Sequence, residues 1–249
     1  MSGSHITNAI QIFIRMVEAV RRGEKMVPRS ENDKEYFAQD WFSKRLGEAG
    51  LEYEQQGRNS YPDFLITSPQ PREGYEVKSL GFARGRPARK DIDFNSTIPS
   101  GRKDNQDIFL VFFLYTGSGS STGTVHSISL AHADLINADH QVADEHINVA
   151  IHNFGSYGDG FIRNRKMYVF PHPIMIDPEG LGRQRLIVPS DWRLKDRRLR
   201  KINNIRRNIA INAIDSYKIK LYGRGEAEIS TTPYRNAGRI LTFDIFEMA

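Results

Sequence analysis

The sequence predicts a mixed α/β (α+β) chain built on one central mixed sheet flanked by helices, and three observations carry that prediction. Two amphipathic stretches at helical spacing open the chain. Three short strand-like runs separated by turn compositions follow, and residues 108–115 are apolar throughout, as in a strand covered on both faces. The 249 residues suit a single domain, 1–249.

Each element follows from its residues. Over 6–22, Ile6, Ala9, Ile10, Phe13, Met16 (or Val17) and Val20 recur at the spacing of one helix face, and Gly23 and Pro28 end the run. Ser30 caps a second helix, with Glu31 in its first turn and Asp33 three positions after the cap. That helix buries Phe37, Trp41 (or Phe42) and Leu46 and stops in the stretch 47–50. Strands are predicted over 51–55, 61–67 and 74–80, divided by the turn compositions of 57–60 and 68–72. After the apolar strand 108–115, the Gly/Ser-rich stretch 117–123 and the Gly-rich stretch 155–160 are loops. Residues 129–140 and 143–152 read as short helices, and 166–170, 174–177 and 186–188 as strands. A long basic helix is expected from about 191 to 217, on a stripe of Leu199, Ile202, Ile205, Ile209 and Ala213, before a closing strand over 240–246.

Composition removes several classes. With 39% hydrophobic and 26% charged residues the chain can bury a core, so disorder is excluded, and without a single cysteine neither a disulfide framework nor a Cys-ligated metal site is possible. No apolar run reaches the roughly 20 residues of a membrane span, and the first residues do not read as a signal peptide, so a cytoplasmic protein is expected. The net charge of +5 hides a sharper pattern. Residues 183–207 carry ten Lys/Arg against two Asp, and 81–103 carry six against two, so the remainder is net negative. Two basic stretches on an acidic body suit a polyanion held in a defined place.

The informative constellation is Tyr61-Pro62-Asp63-Phe64 followed, thirteen positions after Asp63, by Glu76-Val77-Lys78. Alternation along a strand puts Glu76 and Lys78 on one face and Val77 on the other. If the preceding strand pairs antiparallel, Asp63 joins them. Two carboxylates brought together repel unless a cation offsets them. Mg²⁺ does so with oxygen ligands, activates water and neutralises charge on a phosphodiester, while an ammonium nearby contacts the water or the phosphate. His146, Asn148 and His152 have the spacing of neither an HNH nor a zinc site, and 155–160 does not lead from a strand into a helix as a phosphate loop does.

The order helix, strand, Pro-Asp strand, Glu-x-Lys strand over about 30–115 resembles the PD-(D/E)XK nuclease family, with Pro62-Asp63 and Glu76-Val77-Lys78 carrying the motif. The chain length and the basic segment after Lys78 look like a type II restriction endonuclease of that family. The resemblance implies a restriction-endonuclease-like core with helices on both sides of the sheet. It implies Asp63 and Glu76 as Mg²⁺ ligands with the Val77 backbone carbonyl, and Lys78 at the attacking water. An acidic helix residue often assists, for which Glu35 is the candidate and Glu31 and Asp40 compete. Among 79–103, Arg84, Arg86, Arg89, Asn95 and Arg102 are expected to contact DNA bases or backbone, and Lys90, Ser96 and Lys103 its phosphates. The basic stretch 183–217 is expected to complete a DNA cleft or a subunit interface. The implied partners are double-stranded DNA and a second copy in a homodimer, with a methyltransferase protecting the same site as genetic companion. A structure-selective nuclease and a non-catalytic basic nucleic-acid-binding module are the alternatives.

Overall fold

Alternation along one apolar strand sets the architecture. A computed structural model describes residues 5–29, 36–57, 60–94, 100–117, 122–137, 141–142, 146–148, 163–165, 168–221 and 227–249. Two helices, α1 (Ala9–Arg21) and α2 (Phe37–Glu48), precede a meander of β1 (Glu52–Gln55), β2 (Phe64–Ser68) and β3 (Glu73–Ala83). Short strands β4 (Arg86–Pro87), β5 (Asp91–Phe94) and β6 (Arg102–Lys103) lead into β7 (Gln106–Thr116) and β8 (Thr124–His132). The turn α3 (Asp134–Asn137), the strands β9 (Gln141–Val142), β10 (His146–Asn148), β11 (Arg163–Arg165) and β12 (Tyr168–Pro171), and the turn α4 (Pro173–Ile176) follow. The chain closes with β13 (Gln184–Pro189), β14 (Leu199–Asn208), the hairpin β15 (Ile214–Leu221) and β16 (Ala227–Pro233), and β17 (Ile240–Met248).

The described strands build one ten-stranded mixed sheet in the order β1-β2-β3-β7-β8-β13-β17-β14, with β4 on β3 and β6 on β7. The β3–β7 and β8–β13 pairs are parallel, so both lie inside the sheet and both need cover on two faces. Phe109, Val111 and Phe113 point towards α1 and α2, where they meet Phe13, Trp41 and Phe42. Leu110, Phe112 and Leu114 point the other way, onto Ile92 and Phe94 of β5, Ile136 of α3, Phe170 of β12 and Ile174 of α4. Each of these six is at most 1% exposed, and burying a side chain of this size stabilises by about 1.5–3 kcal/mol.

Several elements depart from the sequence reading. The first helix begins at Ala9, leaving Ile6 outside it and 75% exposed. The second begins at Phe37, and the cap predicted at Ser30, with Glu31, Asp33 and Glu35, lies outside the described residues. The face opposite α1 and α2 is covered by the three-stranded sheet β5-β12-β9 and the single turns α3 and α4 rather than by long helices. Residues 129–132 belong to β8, not to a helix over 129–140, because the strand is paired on both sides and alternates Ser with aliphatic residues. In the stretch 143–152, expected to be helical, the described residues 146–148 form β10. The stretch 174–177, expected as a strand, turns helically from Pro173, whose fixed φ suits a first helical position.

The largest correction is the long basic helix predicted over 191–217, which is β14 and the start of β15. The spacing of three between Ile202 and Ile205 imitates a helix. In a regular strand those two residues would face opposite ways. A bulge between Lys201 and Asn203 absorbs one residue, and both then pack on the cluster of Ala131, Ile187, Phe243 and Ile245. Among the described residues no helix is long and apolar enough to cross a membrane.

Candidate active site

The site grows out of the place where β2 and β3 part. They pair at Phe64↔Tyr75 and Leu65↔Gly74, after which β3 runs on to Ala83. The residues ahead of Phe64 explain the break: Pro62 has no N–H to give to a ladder, so pairing ends beside it. The ring of Pro62 packs over Gly74, where an added Cβ would come within 2.5 Å of both Pro62 Cγ and Ile108 Cδ1, so only glycine admits that approach.

Asp63 stands one position beyond the last pair, opposite Glu76, and its side chain takes over the acceptor role the broken ladder leaves vacant. Val77 N–H donates to Asp63 Oδ2 at 2.8 Å. From α2, Gln39 Nε2 donates to Asp63 Oδ1 at 3.0 Å, and Gln39 is itself held by Gln55 Nε2 at 3.3 Å. Because N–H and C=O of one strand residue point to the same edge, the Val77 carbonyl also lies on the Asp63 edge.

Val77 faces the core beneath α1 and α2, as alternation predicts, so Glu76 and Lys78 occupy the other face. Lys78 Nζ lies 2.8 Å from Glu76 Oε1 and 4.9 Å from the centre of the Phe94 ring on β5. Glu76 is buried, and its second oxygen, Oε2, is also buried yet has no hydrogen-bond partner. Burial, with the Asp63 charge adding to it and Lys78 opposing, pushes the Glu76 carboxyl up to about 7. Burial pulls the Lys78 ammonium down, but the Glu76 charge and hydrogen bond, with Asp63 and Asp93, outweigh it and raise its pKa. The Tyr61 phenol is pushed up by burial and then by the Glu76 charge.

Asp63, Glu76 and Lys78 therefore come together as the alternation argument requires, with the Val77 main chain beside them. Glu35 lies outside the described residues, and its competitor Asp40 is taken by a two-pronged pair with Arg29 at 2.5 and 2.6 Å. Two carboxylates, one with an open oxygen, and a strand carbonyl form a hard-oxygen donor set that fits Mg²⁺, which keeps several of its waters. Among the described residues no group of three or more His, Cys, Asp or Glu side chains comes together to hold a metal.

The residues expected to read DNA divide into two groups. Arg84, in a left-handed turn conformation (φ 53°), and Arg86 are exposed at the far end of β3. Lys90 is exposed nearby, and Arg89 is committed to Asp93 at 2.7 and 2.8 Å and to Asp91, so its fork is occupied. Arg102 and Lys103 are exposed at the opposite end, where β6 joins β7, and Lys103 Nζ donates to the Tyr61 carbonyl. Asn95 and Ser96 lie outside the described residues. Sequence reasoning missed Gln39 and Tyr61. Gln39 had a signal, since it falls one helical turn after Glu35, whereas Tyr61 and the Phe94 ring under Lys78 depend on tertiary packing.

Compared with known proteins, the chain matches no family model and no curated relative.

Proposed function

We propose that this chain is a Mg²⁺-dependent, sequence-specific endonuclease that hydrolyses phosphodiester bonds of double-stranded DNA, with the restriction-endonuclease-like core that the Pro62-Asp63…Glu76-Val77-Lys78 frame resembles. The observation that carries the reading is the Asp63–Glu76–Lys78 cluster at the β2–β3 split, with a buried Glu76 oxygen that nothing else satisfies. A buried polar atom without a partner costs free energy, about 1–3 kcal/mol and more for a charge, and a bound cation would offset that cost. Mg²⁺ held by Asp63, Glu76 and the Val77 carbonyl would supply an activated water and charge neutralisation at the phosphate.

The roles of the chain's own groups follow from their surroundings. Gln39 and Val77 N–H fix the Asp63 carboxylate, so its position is set before substrate arrives. Lys78, with its pKa raised, remains an ammonium at neutral pH; it acts as a donor to the attacking water or the scissile phosphate and not as the base. The Phe94 ring lies 4.9 Å from the Lys78 ammonium and favours its charged form. Arg84, Arg86, Lys90, Arg102 and Lys103, exposed at both ends of β3, would contact DNA on either side of the cut, with Arg89 available only after leaving its acids. A homodimer would match a palindromic site with its own two-fold axis, and a companion methyltransferase would protect that site in the cell.

The test is to incubate unmethylated phage and plasmid DNA with the protein and Mg²⁺. Discrete fragments, lost with chelator and with Lys78→Ala, are expected. Salt-sensitive binding that ignores Mg²⁺, with no cleavage of any substrate, would instead identify a non-catalytic module in which Asp63 merely closes a strand edge. Nicking of branched DNA without sequence preference would identify a structure-selective enzyme.

A further inference from the structure

The basic stretch that the sequence presented as a helix lies instead along a sheet edge, and that changes what it can bind. β14 is the last strand of the large sheet on the side away from β3, and among the described residues no strand pairs with its outer edge. Its apolar residues turn inward: Leu199 packs on the core beneath α1 and α2, and Ile202 and Ile205 on the cluster of the opposite face. The polar residues of the strand, Arg200, Lys201, Asn203, Asn204, Arg206 and Asn208, are all exposed and divide between the two faces of the sheet. With the preceding loop, residues 193–208 carry eight Lys/Arg and one acid, Asp196. Asp196 takes Arg198, and on β17 Asp244 and Glu247 take Lys201 at 2.8 Å and Arg200 at 3.8 Å, so the strip keeps a positive surplus.

Three occupants compete for such an edge. A second copy pairing strand to strand would set these cations against their own duplicates, and like charges across a strand pair are destabilising. A membrane surface needs large apolar side chains on the same face to insert, and here the aliphatic residues are already packed inside. A phosphate backbone fits all the features. It is a line of negative charge, it accepts from Arg and Lys, from Asn amides and from main-chain N–H groups, and an open strand edge offers a row of such N–H groups.

We infer that β14 and the loop before it form a second nucleic-acid contact, a phosphate-tracking strip for duplex DNA separate from the cluster at the β2–β3 split. The inference takes its ligand from the nuclease reading and extends it by one surface. Five strand spacings divide β3 from β14, about 24 Å across the sheet, or about seven base pairs of axial rise. The strip therefore holds DNA flanking the cut site, supplying affinity without reading sequence.

The experiment measures binding of a 30-base-pair duplex by the full chain in chelator, so that cleavage plays no part, across a range of salt. The triple variant Lys195→Gln/Arg197→Gln/Arg206→Gln removes exposed cations for which no ion pair is described. An equal-charge control, Arg15→Gln/Arg22→Gln/Lys44→Gln, removes three cations from the α1–α2 surface. Loss of about three phosphate contacts should make the salt slope shallower by about 2.7 and weaken binding about 30-fold or more at 0.1 M salt, while the control stays within twofold of wild type. Thermal melting confirms that both triples fold, and the single Arg206→Gln, with a slope change of about 0.9, serves if the strip triple does not. Equal behaviour of strip and control variants overturns the proposal. So does a wild-type dimer that the strip variants split into monomers, since the edge would then be a self-interface. A wild type that binds through the strip yet cuts nothing removes the nuclease reading alone. One that cuts and ignores the strip substitutions removes the strip alone.

Discussion

Glu73 and Glu76 sit three residues apart on one strand, are both buried, and are both pushed by burial to about 7, yet their surroundings differ. Three is an odd number, so they face opposite sides of the sheet. Glu73 points towards α1, where every contact is answered: Thr7 Oγ1 donates at 2.6 Å, Asn8 N–H at 3.1 and 3.2 Å, and the Tyr75 hydroxyl at 2.5 Å. It ties the start of α1 to the sheet. Glu76 has Lys78 on one oxygen and a backbone hydrogen bond from Asp63 that lowers its pKa, yet its Oε2 has no hydrogen-bond partner of good geometry. A raised carboxyl pKa therefore does not separate Glu73 from Glu76 in this protein; an unpartnered acceptor does.

The contrast makes predictions of decreasing size. Glu76→Gln should lower Mg²⁺-dependent cleavage by about 10²- to 10³-fold or more, the usual cost of removing one group that stabilises transition-state charge. Glu73→Gln should leave the cleavage rate within about twofold, and equal losses in the two variants would erase the distinction. In stability the order reverses. Glu73→Ala strands the Thr7 hydroxyl, the Asn8 N–H and the Tyr75 hydroxyl in the core and should cost about 3 kcal/mol in denaturant unfolding, whereas Glu76→Ala should change stability by no more than about 1 kcal/mol.

The third prediction concerns pH. Glu73 in the folded chain holds its proton to about 7, above the ordinary 4.5, so the folded state binds more protons between those values. Its contribution is therefore present in full below about 4.5 and is lost as pH rises through about 7. Wild-type stability should fall across that window by up to about 3 kcal/mol from this group, and Glu73→Gln should flatten the slope. The smallest effect belongs to Gln39→Ala, which frees one oxygen of Asp63 without removing a charge. A cleavage loss of about tenfold or less with unchanged stability is expected; a loss matching that of Glu76→Gln would make Gln39 part of the reacting set.

The parts of this arrangement legible in the sequence are those governed by local periodicity. Period-two alternation separated Glu76 and Lys78 from Val77, and the apolar run at 108–115 announced a strand buried on both faces. The strand read over 61–67 starts only at Phe64, because Pro62 cannot donate to a ladder, and the Asp63 side chain then meets Val77 N–H. What the sequence concealed depends on long-range register. The bulge at Lys201–Asn203 let aliphatic residues three apart share one face and so mimic a helix. The Gln39–Asp63 bond and the Phe94 ring under Lys78 join residues 24 and 16 positions apart, and no local pattern encodes them. Arg89 read as a free fork in sequence, but Asp91 and Asp93, two and four positions on, take it up.

The central claim, that the open oxygen of Glu76 belongs to a cation site and the closed carboxylate of Glu73 does not, is tested most directly by calorimetric titration of Mg²⁺ into wild type, Glu76→Gln and Glu73→Gln, in two buffers of different ionisation enthalpy at pH 6.5. The account predicts binding with proton release in wild type and in Glu73→Gln, since burial raises the Glu76 carboxyl above its ordinary value and coordination takes the carboxylate. It predicts at least about tenfold weaker binding without that proton release in Glu76→Gln. Equal affinity and equal proton release in all three proteins would contradict it.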